Sequence, residues 1–527
     1  AAFLNLTEPL SPDIVSPLRR IFAPPVQALP AQAVVAEVKK KAKGYGAPGR
    51  AAGIVLKTLV MPLDKALEYE SAEFANLSQS RESRNLVSIF LDRSSAKKLN
   101  GDAVGLKVES LAIIGSGIMG REIAFEALYA DEIDQVVLID VKEEFLAKAR
   151  AHMEELMASR VRSGKIAELN AKAKFNKLTT STDYGAIVDC DAVIEAVPET
   201  YAMKSQCYEQ IDHAMSGRTK TTPYFIFSNT SALSLTRLSQ SVRFPANFSG
   251  LHFFNPVSQM AGVEIPTAQG TSDETLSTAI RLVGALGKIP LPCREHPGFI
   301  VNAILGAELV VTDHLLSMGV APSVIDKAML TFGMPMGPVE LMDYVGLDVV
   351  LSVAKTLREV HGDRLALPAD DVVARLVERG YLGRKSGQGF YLWKGERTER
   401  DEKTRLPVLN PALAELLPGP GNMNMASEAV QELLVGAIES EAVRVLEAGV
   451  VAHPFLIDLA FVVSTGFTAS LGGPIRHIDQ RGVKTFYDLM SDIADGAELP
   501  AQGWRRNFVP PALLAEHARE RTNLYGP

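Results

Sequence analysis

The segment GLHFFNPVSQMAGVEI, residues 250–265, is almost wholly apolar or small, yet it carries an imidazole, His252, and a carboxylate, Glu264. A charge in such surroundings is costly unless something pairs it. The two residues are therefore either a structural ion pair or a catalytic base with the acid that orients it. Histidine has an ordinary pKa near working pH, and a carboxylate behind it fixes the tautomer and stabilises the imidazolium.

A second constellation lies upstream. LAIIGSGIMGREIA sets Gly115, Gly117 and Gly120 in G-x-G-x-x-G spacing, and the strand-like VVLID ends at Asp140, twenty residues past Gly120. The glycines follow an apolar strand and open a helix, which is the context a dinucleotide fingerprint requires. Gly115 permits the tight turn, Gly117 admits a pyrophosphate to the backbone, and Gly120 lets the helix lie close on the strand. Ile118 and Met119 complete the loop, whose helix start offers unpaired N–H groups to phosphates. Asp140 would accept hydrogen bonds from ribose hydroxyls and repel a 2′-phosphate, so NAD is expected as cofactor rather than NADP. The alternative is a tight strand–helix turn with a surface acid.

These residues need elements to hold them. LAIIGSGIMG, VVLIDV, DAVIEAVPE and YFIFSNTS are short β-rich runs separated by helical stretches, which predicts βαβ units and a parallel sheet. After Pro297 strand-like runs cease and the chain reads as helices broken by Gly and Pro. That part repeats itself. APSVIDKA at 321–328, then Gly337-Pro338, Asp343 and Gly346, is echoed by AHPFLIDLA at 452–460, then Gly473-Pro474, Asp479 and Gly482. Three intervals agree between the copies, so two copies of one helical unit are expected.

The 527 residues are 47% hydrophobic and 22% charged, ordinary for a globular chain of several domains. A net charge of −8 excludes an overall basic surface for nucleic acid. Cys190, Cys207 and Cys293 lack metal-ligand spacing, so no metal is expected, and they suit a reducing compartment. No apolar run reaches the roughly 18 residues of a membrane span. The N-terminus lacks the pattern of a secretory signal and NLYGP is not a peroxisomal address, so a cytoplasmic location is expected. The chain begins with Ala, which implies processing or a longer parent. Residues 1–50, rich in Ala, Pro and Lys, read as a loosely ordered lead-in. Helical spacing follows to Lys98, and Asn100 to Gly105 reads as a hinge.

SNTSALSLTRL, RFPANFSGLHFFNPVSQMAGVEI, HPGFIVNAIL, FGMPMGPVELMDYVGLDVV and LGRKSGQGFYLW, in that order, resemble L-3-hydroxyacyl-CoA dehydrogenases over about residues 108–395. The resemblance implies a Rossmann NAD-binding domain followed by all-α domains of the 6-phosphogluconate-dehydrogenase-like kind. It implies the domains 1–107 (lead-in and helical linker), 108–296 (Rossmann), 297–395 (first helical copy) and 396–527 (second copy and tail). It makes His252 the catalytic base and Glu264 its partner, with Ser231 and Asn302 holding the substrate hydroxyl and carbonyl. Glu199 and Lys204 would stand on the cofactor side, and Arg162 and Lys165, in a basic arm, would meet coenzyme A phosphates. Taken alone, Ser231 and Asn302 read as turn or helix-start residues, and the arm as a solvated charged face.

The flanks are similar to the α-subunit type of multifunctional fatty-acid oxidation enzymes. Residues 39–98 look like the linker that follows the crotonase domain, and 425–482 like the second helical domain. No oxyanion segment or hydratase glutamate pair can be placed in residues 1–40, so a crotonase core is expected to be lacking. A hydratase- or thiolase-bearing chain is an expected partner. Ala303 stands where the family often has Arg, and Gly262 where it has a larger apolar residue. NAD-dependent oxidation of L-3-hydroxyacyl-CoA is the expected activity. A non-catalytic acyl-CoA-binding subunit and a dehydrogenase of small hydroxy acids are the rivals.

Overall fold

The computed structural model describes residues 31–42, 45–99, 105–402, 406–417, 425–496 and 504–526. The chain falls into two compact units, Ala1–Val87 and Ser88–Pro527. The first contains helices α1 (Ala31–Lys41), α2 (Gly46–Thr58) and α3 (Leu63–Ser78) and the start of α4 (Arg81–Ala96). A loosely ordered lead-in was the expectation for residues 1–50; α1 and the start of α2 correct it. Ala and Lys are good helix formers, and Pro48 sits in the first turn of α2, where its missing N–H costs nothing. Residues 1–30, and residues 100–104 of the expected hinge, lie outside the described residues. Leu59, Leu63 and Phe74 leave about 70% of their surface exposed, at 69%, 73% and 71%.

In the second unit a parallel sheet forms from β1 (Ser110–Ile114), β2 (Gln135–Ile139), β3 (Leu178–Ser181), β4 (Ala192–Glu195), β5 (Phe225–Ser228) and β6 (Phe248–Gly250). The spatial order is β3-β2-β1-β4-β5-β6, the doubly wound arrangement in which ligands bind where the order reverses beside β1. Crossover helices α5 (Ile118–Ala127), α6 (Glu143–Arg162), α7 (Glu168–Phe175) and α8 (Tyr201–Met215) connect the strands. The strands are apolar on both faces because helices cover both, as Leu111 to Ile114, all buried, illustrate.

A small second sheet follows, of β7 (His252–Phe253), β8 (Gly262–Thr267) and β9 (Ile289–Arg294), with α9 (Asp273–Ala285) between the last two. β7 runs antiparallel to β8 and β9 parallel to it.

Among the described residues the remainder is mainly helical, with a hairpin of β10 (Trp393–Lys394) and β11 (Arg397–Thr398) and a few isolated bridges around it, which corrects the expectation that strands cease after Pro297. The first copy comprises α10 (Val301–Ser317), α11 (Pro322–Phe332), α12 (Pro338–Val345), α13 (Leu347–His361) and α14 (Val372–Glu378). The second comprises α15 (Ser427–Glu447), α16 (Pro454–Thr465), α17 (Pro474–Arg481), α18 (Val483–Asp495) and α19 (Ala512–Glu520).

The repeated intervals have a physical cause. In the first copy Asp326 accepts the N–H groups of Val339 at 2.8 Å and Glu340 at 3.2 Å and the hydroxyl of Tyr391 at 2.6 Å. In the second, Asp458 accepts from Ile475 N at 2.7 Å, Arg476 N at 3.2 Å and the Tyr525 hydroxyl at 2.6 Å. A Cβ on Gly337 or Gly473 would collide with the carboxyl it faces. Each aspartate thus caps the next helix of its own copy, and burial pushes both carboxyls up to about 7. Asp343 and Asp479 repeat the logic, holding Phe390 and Tyr391 N–H in one copy and Leu524 and Tyr525 N–H in the other. Residues 523–526, NLYG, are therefore the closing strap of the second copy, the counterpart of FYLW in the first.

Candidate active site

The turn after β1 is built as its glycines require. Gly115 has φ +99°, and a Cβ there would stand 2.6 Å from the carbonyl oxygen of Ala196. A Cβ on Gly120 would collide with the carbonyl of Gly115, so only glycine lets α5 lie this close to β1. A Cβ on Gly117 meets nothing within 4 Å. Packing does not explain Gly117, and open space over a bare backbone at a helix start is the cradle that a pyrophosphate fills. Ile118, half exposed, and Met119 follow on the first turn of α5.

Asp140 closes this loop. Its Oδ2 accepts from Ser116 N at 2.7 Å and Ser116 Oγ at 2.6 Å, and its Oδ1 from Val141 N at 2.7 Å. Oδ2 is filled by its two donors, and Oδ1, with one, keeps acceptor capacity for a hydroxyl. Asp140→Ser is expected to weaken NAD binding about tenfold or more and to narrow the preference over NADP, measured by titrating both cofactors. A wild-type chain that binds both equally would refute this role for Asp140.

The second constellation is assembled by β-pairing. His252 on β7 and Glu264 on β8 are direct cross-strand partners. Their side chains meet with Nδ1 2.6 Å from Oε2. Both are buried, Glu264 completely and His252 to 6% exposure. The other carboxylate oxygen, Oε1, accepts the N–H groups of Ile300 at 3.0 Å and Val301 at 2.8 Å at the start of α10. Those donors are aimed by an unusual turn: Gly298 and Phe299 both have positive φ, +75° and +52°. A bulky residue held in that region marks a site whose surroundings enforce it. The Phe299 ring lies 5.7 Å from the imidazole and the Phe254 ring 4.7 Å. A helix N-terminus on one oxygen and an imidazole on the other leave the Glu264 carboxylate fully engaged, in a dry setting.

Asn302 is the next residue along α10, one position past the two donors. Ser231 lies in the loop after β5, which is tied to β7 because Phe253 N donates to Asn229 Oδ1 at 3.0 Å. Glu199 holds that loop from the other side, accepting from Thr230 Oγ1 at 2.6 Å and from Ser231 N at 2.9 Å. Burial pushes the Glu199 carboxyl up, but the Lys204 ammonium and the hydrogen bonds of Thr230 and Ser231 outweigh it, and the net shift is downward.

Lys204 is itself buried. Its Nζ sits 2.7 Å from Glu195 Oε1 and 3.2 Å from Glu199 Oε2, so it links two carboxylates rather than standing free. Glu195 had no role in the sequence reading, although an acid inside the apolar run DAVIEAV was a signal that a partner must exist. It is completely buried at the end of β4 and accepts from Lys204, Val197 N, Tyr208 OH and Ser228 Oγ. Arg162, the last residue of α6, and Lys165, in the turn that follows, are exposed, with Arg162 paired to Glu155 at 2.6 Å.

The family of the 3-hydroxyacyl-CoA dehydrogenase NAD-binding domain matches residues 110–296, and that of the 3-hydroxyacyl-CoA dehydrogenase C-terminal domain matches 298–393. The crystal structure of (S)-3-hydroxybutyryl-CoA dehydrogenase from Ralstonia eutropha is 33% identical, with a TM-score of 0.51, and the alignment covers 99% of it and 55% of this chain. The chain belongs to the 3-hydroxyacyl-CoA dehydrogenase family. It is an oxidoreductase, and NAD is its cofactor.

The 3-hydroxybutyryl-CoA dehydrogenase of Escherichia coli is similar over more of the length, 79% of this chain and 99% of its own, with a TM-score of 0.65 and 26% identity. Among curated relatives, the fatty acid oxidation complex subunit alpha of Psychrobacter cryohalolentis is 32% identical over 461 residues. The match takes in 86% of this dehydrogenase chain but only 63% of that relative's length. Among the described residues no helix is long and apolar enough to cross a membrane.

Proposed function

We propose that this dehydrogenase oxidises L-3-hydroxyacyl-CoA thioesters to 3-ketoacyl-CoA in fatty-acid β-oxidation, with His252 as general base and Glu264 as the residue that orients it. The observation that carries the reading is the 2.6 Å contact between His252 Nδ1 and a Glu264 carboxylate whose other oxygen is held by a helix N-terminus. With Nδ1–H given to Glu264, the Nε2 lone pair is left to take the hydroxyl proton of the substrate. The carboxylate then stabilises the imidazolium without becoming protonated. NAD, when bound in the Gly115–Gly120 loop, would supply the acceptor for the hydride that leaves the carbon bearing that hydroxyl.

Ser231 and Asn302 hold the substrate hydroxyl and carbonyl in this reading, Ser231 on a loop that Glu199 anchors and Asn302 in the first turn of α10, whose start Glu264 anchors. Arg162 and Lys165 meet coenzyme A phosphates. The domains run 1–107, 108–296, 297–395 and 396–527, and the location is cytoplasmic. The chain by itself carries no hydration of 2-enoyl-CoA, which needs donors for an enolate oxygen and a carboxylate to handle water. A hydratase- or thiolase-bearing chain is its partner.

The test follows NADH absorbance with an L-3-hydroxyacyl-CoA, its D enantiomer and the free 3-hydroxy acid. Turnover of the L thioester alone is expected. Equal turnover of the free acid would replace this reading with that of a small hydroxy acid dehydrogenase, and none with any would favour a non-catalytic subunit. In a parallel assay the conjugated thioester absorbance of 2-enoyl-CoA should persist, and sustained loss would contradict the absence of hydration.

A further inference from the structure

Gly262 departs from the pattern that the surrounding motif leads one to expect, and the backbone does not demand glycine there, since its φ is not among the positive ones. Space demands it. A Cβ on Gly262 would overlap the hydroxyl oxygen of Ser464 and stand 2.9 Å from Leu291 Cδ1 and Val463 Cγ2. Val463 and Ser464 belong to the last turn of α16, in the second helical copy. Ser464 is 6% exposed, and its hydroxyl has no hydrogen-bond partner among the described residues. Packing on the strand, not a hydrogen bond, accounts for its position.

Gly262 and Glu264 are two residues apart on β8, so their side-chain directions share one face, about 7 Å apart along the strand. The strand that presents the Glu264 carboxylate is therefore flanked on that face by α16 and, through Oε1, by the start of α10. We infer that the second helical copy serves the reaction by positioning: Ser464, seated directly on Gly262, holds β8 in the place from which Glu264 reaches His252. The second copy then contributes no group to the chemistry, yet the alignment of the pair depends on it. This rests on the assignment of His252 and Glu264 as the catalytic pair.

The experiment uses the full chain with L-3-hydroxybutyryl-CoA and compares wild type, Gly262→Ala, Ser464→Gly, the double variant and, alongside them, His252→Gln. Gly262→Ala should lower kcat about tenfold or more, because small misplacements of catalytic groups cost that much, while NAD affinity stays within about twofold. The pH profile of kcat should shift as well, since the base is no longer held by its carboxylate in the same geometry. Adding Ser464→Gly removes the closest overlap and should restore kcat to within about threefold of wild type.

An unchanged kcat and pH profile in Gly262→Ala, or a loss that Ser464→Gly does not restore, would overturn the inference. Should Gly262→Ala fail to fold, Ser464→Thr adds one methyl at the same contact and should give a smaller loss with the same direction of pH shift; an unshifted profile there would equally overturn it. Activity surviving His252→Gln defeats the assignment of the pair. Activity lost there but intact in Gly262→Ala defeats only the role of α16.

Discussion

Replacing His252 with Gln lowers kcat by about 10²–10⁴ and leaves NAD binding nearly unchanged, the loss typical of a missing general base. Gln is close in size and keeps a hydrogen-bonding group toward Glu264, so the buried carboxylate is not stranded. The glycine loop and Asp140 are built on β1, β2 and α5, so the cofactor site does not feel the change. Equilibrium titration of NAD and steady-state turnover of the L-3-hydroxyacyl thioester, measured on the same preparation, separate the two effects. A variant with near-wild-type turnover would remove His252 from the mechanism. A variant that loses NAD binding along with turnover would mean that the substitution disturbed the fold and tested nothing chemical. Glu264→Gln is expected to reduce turnover less, because the helix N–H groups of Ile300 and Val301 still have an oxygen to meet.

How much of this was legible before the fold was known depended on where each residue's partners lie in the chain. The glycine loop was readable because its constraints are local: Gly115, Gly117 and Gly120 answer to a turn and a helix within a few residues. The repeat was readable because each aspartate caps a helix that follows it at a fixed interval, so the chain preserves the spacing. His252 and Glu264 were visible as a pair whose role the residues alone left open and only the resemblance assigned, since the register of β7 on β8 is what sets them opposite each other. Glu195 was missed because its four donors come from α8, β5 and the turn after β4, none of them adjacent in a recognisable pattern. Gly262 was visible only as an oddity, because the helix that explains it arrives from the far end of the chain. Composition misled within residues 1–50, where Ala, Lys and Pro suggested a loose segment and instead form α1 and the start of α2.

The Glu195 network carries the other large effect. Lys204→Met is expected to destabilise the chain by about 3–5 kcal/mol, because removing one partner of a buried pair leaves the other charge uncompensated. Three uncharged donors, Val197 N, Tyr208 OH and Ser228 Oγ, remain around Glu195, but none offsets its charge. The thermal midpoint should fall accordingly, by about 2–4 °C per kcal/mol for a domain of this size. Glu199 loses its ammonium at the same time, and with it the restraint on the loop that carries Thr230 and Ser231. KM for the hydroxyacyl thioester should therefore rise in whatever Lys204→Met remains folded, with the pH dependence of kcat unchanged, since His252 and Glu264 lie on other strands. The double variant Lys204→Met, Glu195→Gln separates the two consequences. A neutral amide in place of the buried carboxylate no longer needs a cation, so most of the lost stability should return while KM stays raised through Glu199. A double variant as unstable as Lys204→Met alone would show that Lys204 supports the fold through its packed methylenes and not through its charge.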